Sequence, residues 1–165
     1  MLGTDQILDS AVALRKKPER VRWTMIESLY AFLAKVGFHH PLHPALTHIP
    51  MGMVMGCFFF GFLLWYAKKP SFHTTCLHCS VLALIFIVPT IATGLLDWQH
   101  LYGGKFLPLI VIKMVLAAIL TGLLAYSIWL NSKQAEPKKL FIVYGLCLAC
   151  AAGLGFSGGE LVYGG

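Results

Sequence analysis

Residues 106–130 read FLPLIVIKMVLAAILTGLLAYSIWL, twenty-five residues with a single charge, Lys113. A helix rises about 1.5 Å per residue, so this run is long enough to cross a hydrocarbon core of about 30 Å. A helix that is apolar on every side has no solvated face and belongs in lipid or in a large core. Working outward, three more runs of the same kind appear: about Ala45–Ala67 before Lys68-Lys69-Pro70, about Thr75–Leu96 before Asp97-Trp98, and about Leu140–Phe156 before a glycine-rich tail. The spacers between them are short, which makes neighbouring helices antiparallel. The expected architecture is all-α: an integral membrane four-helix bundle spanning residues 39–165.

Composition agrees with that reading. The 165 residues are 58% hydrophobic and 12% charged, with mean hydropathy +0.73. Soluble domains carry about 25% charged residues, so an ordinary soluble domain, a disordered chain and a secreted disulfide scaffold are excluded. Thirteen Lys and Arg against seven Asp and Glu give +6. No basic stripe is long enough to track phosphates, so nucleic acid is not an expected partner. The charge reads instead as juxtamembrane anchoring. No cleavable leader is expected, because the first apolar run begins far into the chain without a small-residue cleavage site.

Residues 1–38 form a separate N-terminal arm. Thr4-Asp5 suits a helix start, and Pro18 divides two pieces. Arg15, Lys16, Lys17, Arg20 and Arg22 lie between apolar positions that include Val21, Trp23, Ile26, Leu29, Tyr30 and Leu33. A basic amphipathic helix with aromatic residues reads as lying at the membrane surface, with docking on a partner as the alternative.

The alternating topology sorts the polar residues to two ends. His39, His40, His43, His48, Asp97, His100, Lys105 and Glu160 fall at one end, and Lys68, Lys69, His73, Lys133, Lys138 and Lys139 at the other. Near the span ends, five lysines at the second end face Lys35 and Lys105 at the first. The positive-inside rule then places the lysine end in the cytoplasm and the histidine end outside.

The densest local signal is His39-His40-Pro41-Leu42-His43-Pro44-Ala45-Leu46-Thr47-His48-Ile49-Pro50. Ionisable groups at membrane depth are costly and point to function. Pro44 suits a first helical turn. Pro50 lacks an N–H, so the Leu46 carbonyl loses its usual partner. His48, Gly52 and Gly56 share one helix face, where small residues allow either close helix packing or a flat cofactor. At the end of the second span, Thr90, Thr93, Asp97 and His100 fall on one side, and Asp97 stands one turn from His100 as a possible orienting carboxylate.

Two or more imidazoles from two helices, flanked by small and aromatic residues such as Phe58, Phe59, Trp98 and Tyr102, point to a membrane b-type haem. The expected axial pair is His48 with His100. His43 is the reserve ligand, and His40 serves a second site. A structural zinc site would call for four close ligands, usually thiolates. Cys76/Cys79 and Cys147/Cys150 are C-x-x-C pairs, neither followed by His, and read as small apolar residues. Met51, Met53, Met55 and Cys57 suggest copper by ligand softness, although alternate residues point to different faces. Lys113 snorkels toward the histidine end or pairs with Asp97, Glu160 or a haem propionate. The tail Gly153–Gly165 is too glycine-rich to make a helix by propensity and is expected to fold over a cofactor, with Glu160 as a polar contact.

Three pieces together, the His40–Pro50 motif, Gly94-Leu95-Leu96-Asp97-Trp98 and Gly158-Gly159-Glu160-Leu161-Val162-Tyr163-Gly164, resemble a family of small four-helix bacterial membrane proteins, domain of unknown function 2231, over about Gly37–Gly165. The resemblance implies a multi-pass protein of the bacterial inner membrane. Relatives stand beside Rieske iron–sulfur and cytochrome c modules, which implies membrane electron transfer. It also favours His43 as the family's core histidine.

The expected function is therefore a haem b subunit passing electrons between quinone and a partner such as a cytochrome c or iron–sulfur protein. Its cofactor contacts are His43, His48, His100, His40, Gly52, Gly56, Asp97 and Glu160, with His43, His48 and His100 as metal ligands. The alternatives are a cofactor-free anchor for other membrane subunits, which would use the arm for docking, and a copper or other metal carrier. No nucleophile–base pair supports a hydrolase or transferase.

Overall fold

The computed structural model describes residues 25–163. Those residues are helical, with no strand among them. Helix α1 covers residues 25–35. It is followed by α2 (Leu42–Ala67), α3 (Ser71–Tyr102), α4 (Pro108–Ser132) and α5 (Pro137–Tyr163). The Thr4-Asp5 cap and the basic run expected in the arm lie outside the described residues.

All four long helices are long and apolar enough to cross a membrane. Each packs on its neighbours in order, α2 on α3, α3 on α4, α4 on α5 and α5 back on α2, with no diagonal pair. This is a closed up-and-down bundle, as short connections dictate. Proline marks where the chain re-enters a helix: Pro44 in the first turn of α2, Pro70 ahead of α3, Pro108 and Pro137 as the first residues of α4 and α5. A first-turn N–H has no intrahelical acceptor, so proline loses nothing there.

The core is thin and runs along the bundle axis. Val54, Cys57 and Leu64 of α2 meet Cys76, Ala83 and Ile87 of α3, Leu120 and Leu124 of α4, and Leu140, Tyr144 and Cys147 of α5. Within each span only 17–33% of the most apolar window is buried inside the protein. Large side chains such as Val88, Ile85, Val115 and Ile142 are exposed instead. Lipid, not protein, is the solvent for those faces, so the exposed apolar surface needs no further cover.

α3 and α5 run past both expected ends, α2 begins at Leu42, ahead of the expected Ala45, and ends at Ala67 as expected, and α4 is displaced to Pro108–Ser132 from an expected 106–130. The glycine-rich tail is the clearest correction: it does not fold back over a cofactor, and α5 continues as helix through Glu160 to Tyr163. Its glycines are used for close approach rather than for irregular backbone. A Cβ at Gly153 would sit 3.1 Å from Leu116 Cδ1, and one at Gly155 would sit 3.5 Å from Met51 Cε. Tertiary packing therefore overrides the weak propensity of this segment. α3 likewise extends to Tyr102 and stops where Gly103 and Gly104 take φ of +59° and +71°. Those left-handed values favour glycine. The indole of Trp98 donates to the Lys105 carbonyl at 2.8 Å and ties the turn back to α3.

At the opposite end a polar knot closes the bundle. Asn131, 1% exposed, donates from Nδ2 to the His73 carbonyl at 2.9 Å and to the Tyr144 hydroxyl at 3.3 Å. Its Oδ1 lies 3.0 Å from His73 Nδ1, which donates to it. α3, α4 and α5 are thus joined by one amide. Every buried side-chain polar atom among the described residues has a hydrogen-bond partner, as an apolar surrounding requires.

Candidate functional site

Asp97 organises the histidine end. It is 6% exposed and reaches from the last turns of α3 to the start of α2. Its Oδ1 accepts from the Leu42 N–H at 3.1 Å, and its Oδ2 accepts from the His43 N–H at 2.8 Å. Pro41, the residue at the cap position of α2, contributes no side-chain cap. A helix start leaves several N–H groups without acceptors and carries partial positive charge. Asp97 therefore caps α2 from another helix. Tyr30 of α1 donates its hydroxyl to Asp97 Oδ1. Burial, reinforced by the adjoining carboxylate, pushes the Tyr30 phenol well above its usual range, so it remains a donor.

His43 follows from that arrangement. Its Nδ1 lies 2.8 Å from the Thr90 carbonyl. A carbonyl only accepts, so Nδ1 carries the proton and Nε2 is the ring's free nitrogen. The ring can lie this close to α3 because position 94 is glycine: a Cβ there would sit 2.9 Å from His43 Nδ1. One step deeper, the Thr90 hydroxyl donates to Phe86 O at 2.7 Å and approaches Leu46 O at 3.4 Å. Leu46 is the residue whose carbonyl Pro50 leaves without its normal partner, and the hydroxyl of α3 lies toward it.

Beside His43 is a cleft of about 350 Å3. Its walls are mostly apolar and come from four helices: Pro44 from α2, Leu95 and Trp98 from α3, Met114 and Ala117 from α4, and Leu154 and Leu161 from α5. His43, Asp97 and Lys113 are its charged or titratable members apart from Tyr102. Lys113 enters from α4, and its Nζ lies 3.5 Å from the point where a Cβ on Gly158 would stand. The lipid-facing rim includes Ile91, Leu95 and Leu101, each more than a third exposed.

The remaining expected ligands lie elsewhere. His48 is exposed on the outer surface of α2. His100 is exposed and stacks on Tyr30, ring centroids 3.9 Å apart with 5° between planes. Asp97 does not orient His100, because its oxygens are taken by Tyr30 and the start of α2. His40 is exposed before α2, edge-on to Phe38. Glu160 is exposed near the end of α5. Gly52 faces open space, whereas a Cβ on Gly56 would come within 3.3 Å of Cys79 Sγ at the α2–α3 seam. His48, Gly52 and Gly56 therefore do not frame one slot. Of the flanking aromatic residues, Trp98 and Tyr102 line the cleft, Phe58 packs on Phe141, and Phe59 is exposed.

A bis-histidine haem needs two imidazoles facing across one slot. Here one imidazole, that of His43, lines the cleft, so the described residues of a single chain do not fit that group. Among the described residues there is also no group of three His, Cys, Asp or Glu side chains placed to hold a metal ion. His43 and Asp97 were legible as functional candidates in the sequence. Tyr30, Gly94 and the carbonyl of Thr90 were not, because each acts by contact between segments far apart in the chain.

No curated protein and no solved structure matches the chain. One family model does: the model described as "Predicted membrane protein (DUF2231)" covers residues 39–165. That interval takes in His43, Asp97, Lys113 and all four spans, and the chain belongs to this family.

Proposed function

We propose that this protein is a membrane subunit that binds the headgroup of a lipid-soluble quinone in the His43–Lys113 cleft and works with a second redox protein at the histidine end. The observation that carries the reading is the fixed His43 imidazole. Its Nδ1–H is committed to Thr90, which leaves Nε2 as a proton acceptor in an apolar cleft that also holds the Lys113 ammonium. A quinone needs a donor for its carbonyl, and a quinol needs an acceptor for its hydroxyl. Lys113 supplies the first and His43 the second. Apolar walls with a few convergent polar groups are the usual form of a small-molecule site, and an exposed apolar rim suits a ligand that arrives through lipid.

The electron partner is a cytochrome c or iron–sulfur protein in this reading, and the histidine end faces the periplasm. A haem carried by this chain would have His43 as its one ligand from the cleft. A reduced-minus-oxidised visible spectrum of the purified protein tests whether any haem is carried, and loss of its bands in H43A would test that ligand.

The quinone reading is tested through Trp98, which lines the cleft. In a variant with Trp23, Trp65 and Trp129 replaced by Phe, titration with a short-chain quinone should quench Trp98 fluorescence saturably. H43A and K113M should each weaken binding roughly tenfold, the loss of one hydrogen bond of about 1–1.5 kcal/mol. Quenching that rises linearly with quinone and is unchanged in both variants would reject the site.

A further inference from the structure

The opposite end of the bundle holds a second cleft, of about 500 Å3, between the α2–α3 turn and the α4–α5 turn. Its lip is cationic: Lys68 from the first turn and Lys138 from the second, with Glu136 as the one carboxylate among the lining residues. Lys68 is held in place by its backbone, which closes α2 in the left-handed conformation and donates to Leu64 O at 3.0 Å. Two helices, α3 and α5, begin at this cleft, and neither has an acidic residue in its first turn. Their positive ends add to the lysine charge. Gln134 supplies an amide at the edge. His73 also lines the cleft, with Nδ1 already committed to Asn131.

The wall below the lip is of a different kind. Trp65 lines the cleft and stacks on Phe141, centroids 5.3 Å apart and 6° between planes. Phe62 stacks on Tyr66 alongside, and Trp65 and Tyr66 are 41% and 76% exposed. A charged lip above an exposed aromatic wall, at the end of four membrane spans, matches an amphiphile with an anionic head and hydrocarbon tails. We propose that this cleft binds an anionic phospholipid, with its phosphate between Lys68 and Lys138 and an acyl chain along Trp65 and Phe141. Basic pockets between membrane helices recognise such headgroups by charge. This site is independent of the quinone reading, since it shares no residue with the His43 cleft.

The test is native mass spectrometry of the full chain in detergent, with phosphatidylglycerol, phosphatidylcholine or inorganic phosphate added separately. Phosphatidylglycerol should be retained, and phosphatidylcholine, with the same phosphate but no net charge, should bind at least tenfold more weakly. K68Q/K138Q should weaken phosphatidylglycerol retention by roughly 10–30-fold, the effect of two lysines near a membrane surface. K133Q/K139Q removes the same charge at the same end without touching the cleft, and should leave retention within about twofold. Equal loss in the two double variants would overturn the proposal in favour of diffuse surface charge. Equal retention of the two lipids would overturn it as well, and competition by millimolar inorganic phosphate would make free phosphate the ligand. Circular dichroism of each variant checks that the bundle is intact, and K68R/K138R should restore retention if K68Q/K138Q proves unfolded.

Discussion

At the scale of single residues, the histidine end is built on one carboxylate and one absent methyl group. Gly94 is the residue whose role is purely spatial. A Cβ there would stand 2.9 Å from His43 Nδ1, so G94A should turn the imidazole away from Thr90 and free its tautomer. The expected result is a loss of quinone affinity of about tenfold, comparable with H43A itself. G94A should leave the thermal transition within about 1 kcal/mol, because an exchangeable side chain moves and not a backbone. Tyr30 gives a second prediction with a definite sign. Its phenol is neutral in the folded chain well above the ordinary value of about 10. The Tyr30–Asp97 contact therefore contributes fully below about pH 10 and is lost as pH rises from there through the folded-state value. Comparing wild type with Y30F in protease accessibility of α1 should show a difference at neutral pH that disappears in strong alkali. A difference that persists there would mean that Tyr30 docks α1 by packing alone. Sequence reading reached His43 and Asp97 because a charged group in an apolar run is conspicuous. It paired Asp97 with His100 because the two are one turn apart, and sequence spacing alone could not show that α1 and the start of α2 compete for the same oxygens.

At the scale of helices, the question is what holds ends that lack caps of their own. α2 begins directly after Pro41, which offers no side-chain acceptor, and Asp97 of α3 fills that gap. D97A should cost about 2–3 kcal/mol, a lost cap plus donors left without an acceptor in a buried place. D97N keeps one acceptor oxygen and should cost about half as much. Thermal unfolding in a fixed detergent checks both, and equal destabilisation by the two would show that the charge, not the oxygen, matters. The existence of each span was plain from length and apolarity, and the bounds were short by a few residues wherever tertiary contact extended a helix. The tail shows why. Helix propensity argues against Gly153–Gly159, yet Gly153 and Gly155 bring α5 against Leu116 and Met51. Close approach of backbones is favourable in lipid, where small residues drive helix association, and no propensity scale measured in water contains that effect.

At the scale of the whole molecule, the bundle has two chemically different ends, and the proposed orientation rests on their charge. The lysine end carries Lys68, Lys69, Lys133, Lys138 and Lys139, and the histidine end carries Lys35 and Lys105 close to a span. The arm's Arg15, Lys16, Lys17, Arg20 and Arg22 lie outside the described residues and precede in sequence Tyr30, which donates to Asp97 at the histidine end. They would reverse the balance if they counted in full. They precede α2, which starts at Leu42, by some twenty residues or more, and orientation is set mainly by charges within about 15–20 residues of a span. The lysine end is therefore expected inside. In that proposed orientation the lysine-lipped cleft would lie in the leaflet where anionic headgroups attract basic segments, and the His43 cleft would be open to the proposed extracytoplasmic redox partner. A phosphatase reporter inserted after Gly104 should be active, and one inserted after Gln134 should be inactive, with a cytoplasmic fluorescent reporter giving the opposite pattern. Neutralising Arg15, Lys16 and Lys17 should leave both patterns unchanged, whereas neutralising Lys68, Lys69 and Lys133 should produce a mixed orientation. If the arm variant is the one that mixes, the basic arm governs insertion, the histidine end lies in the cytoplasm, and the electron partner must be sought there.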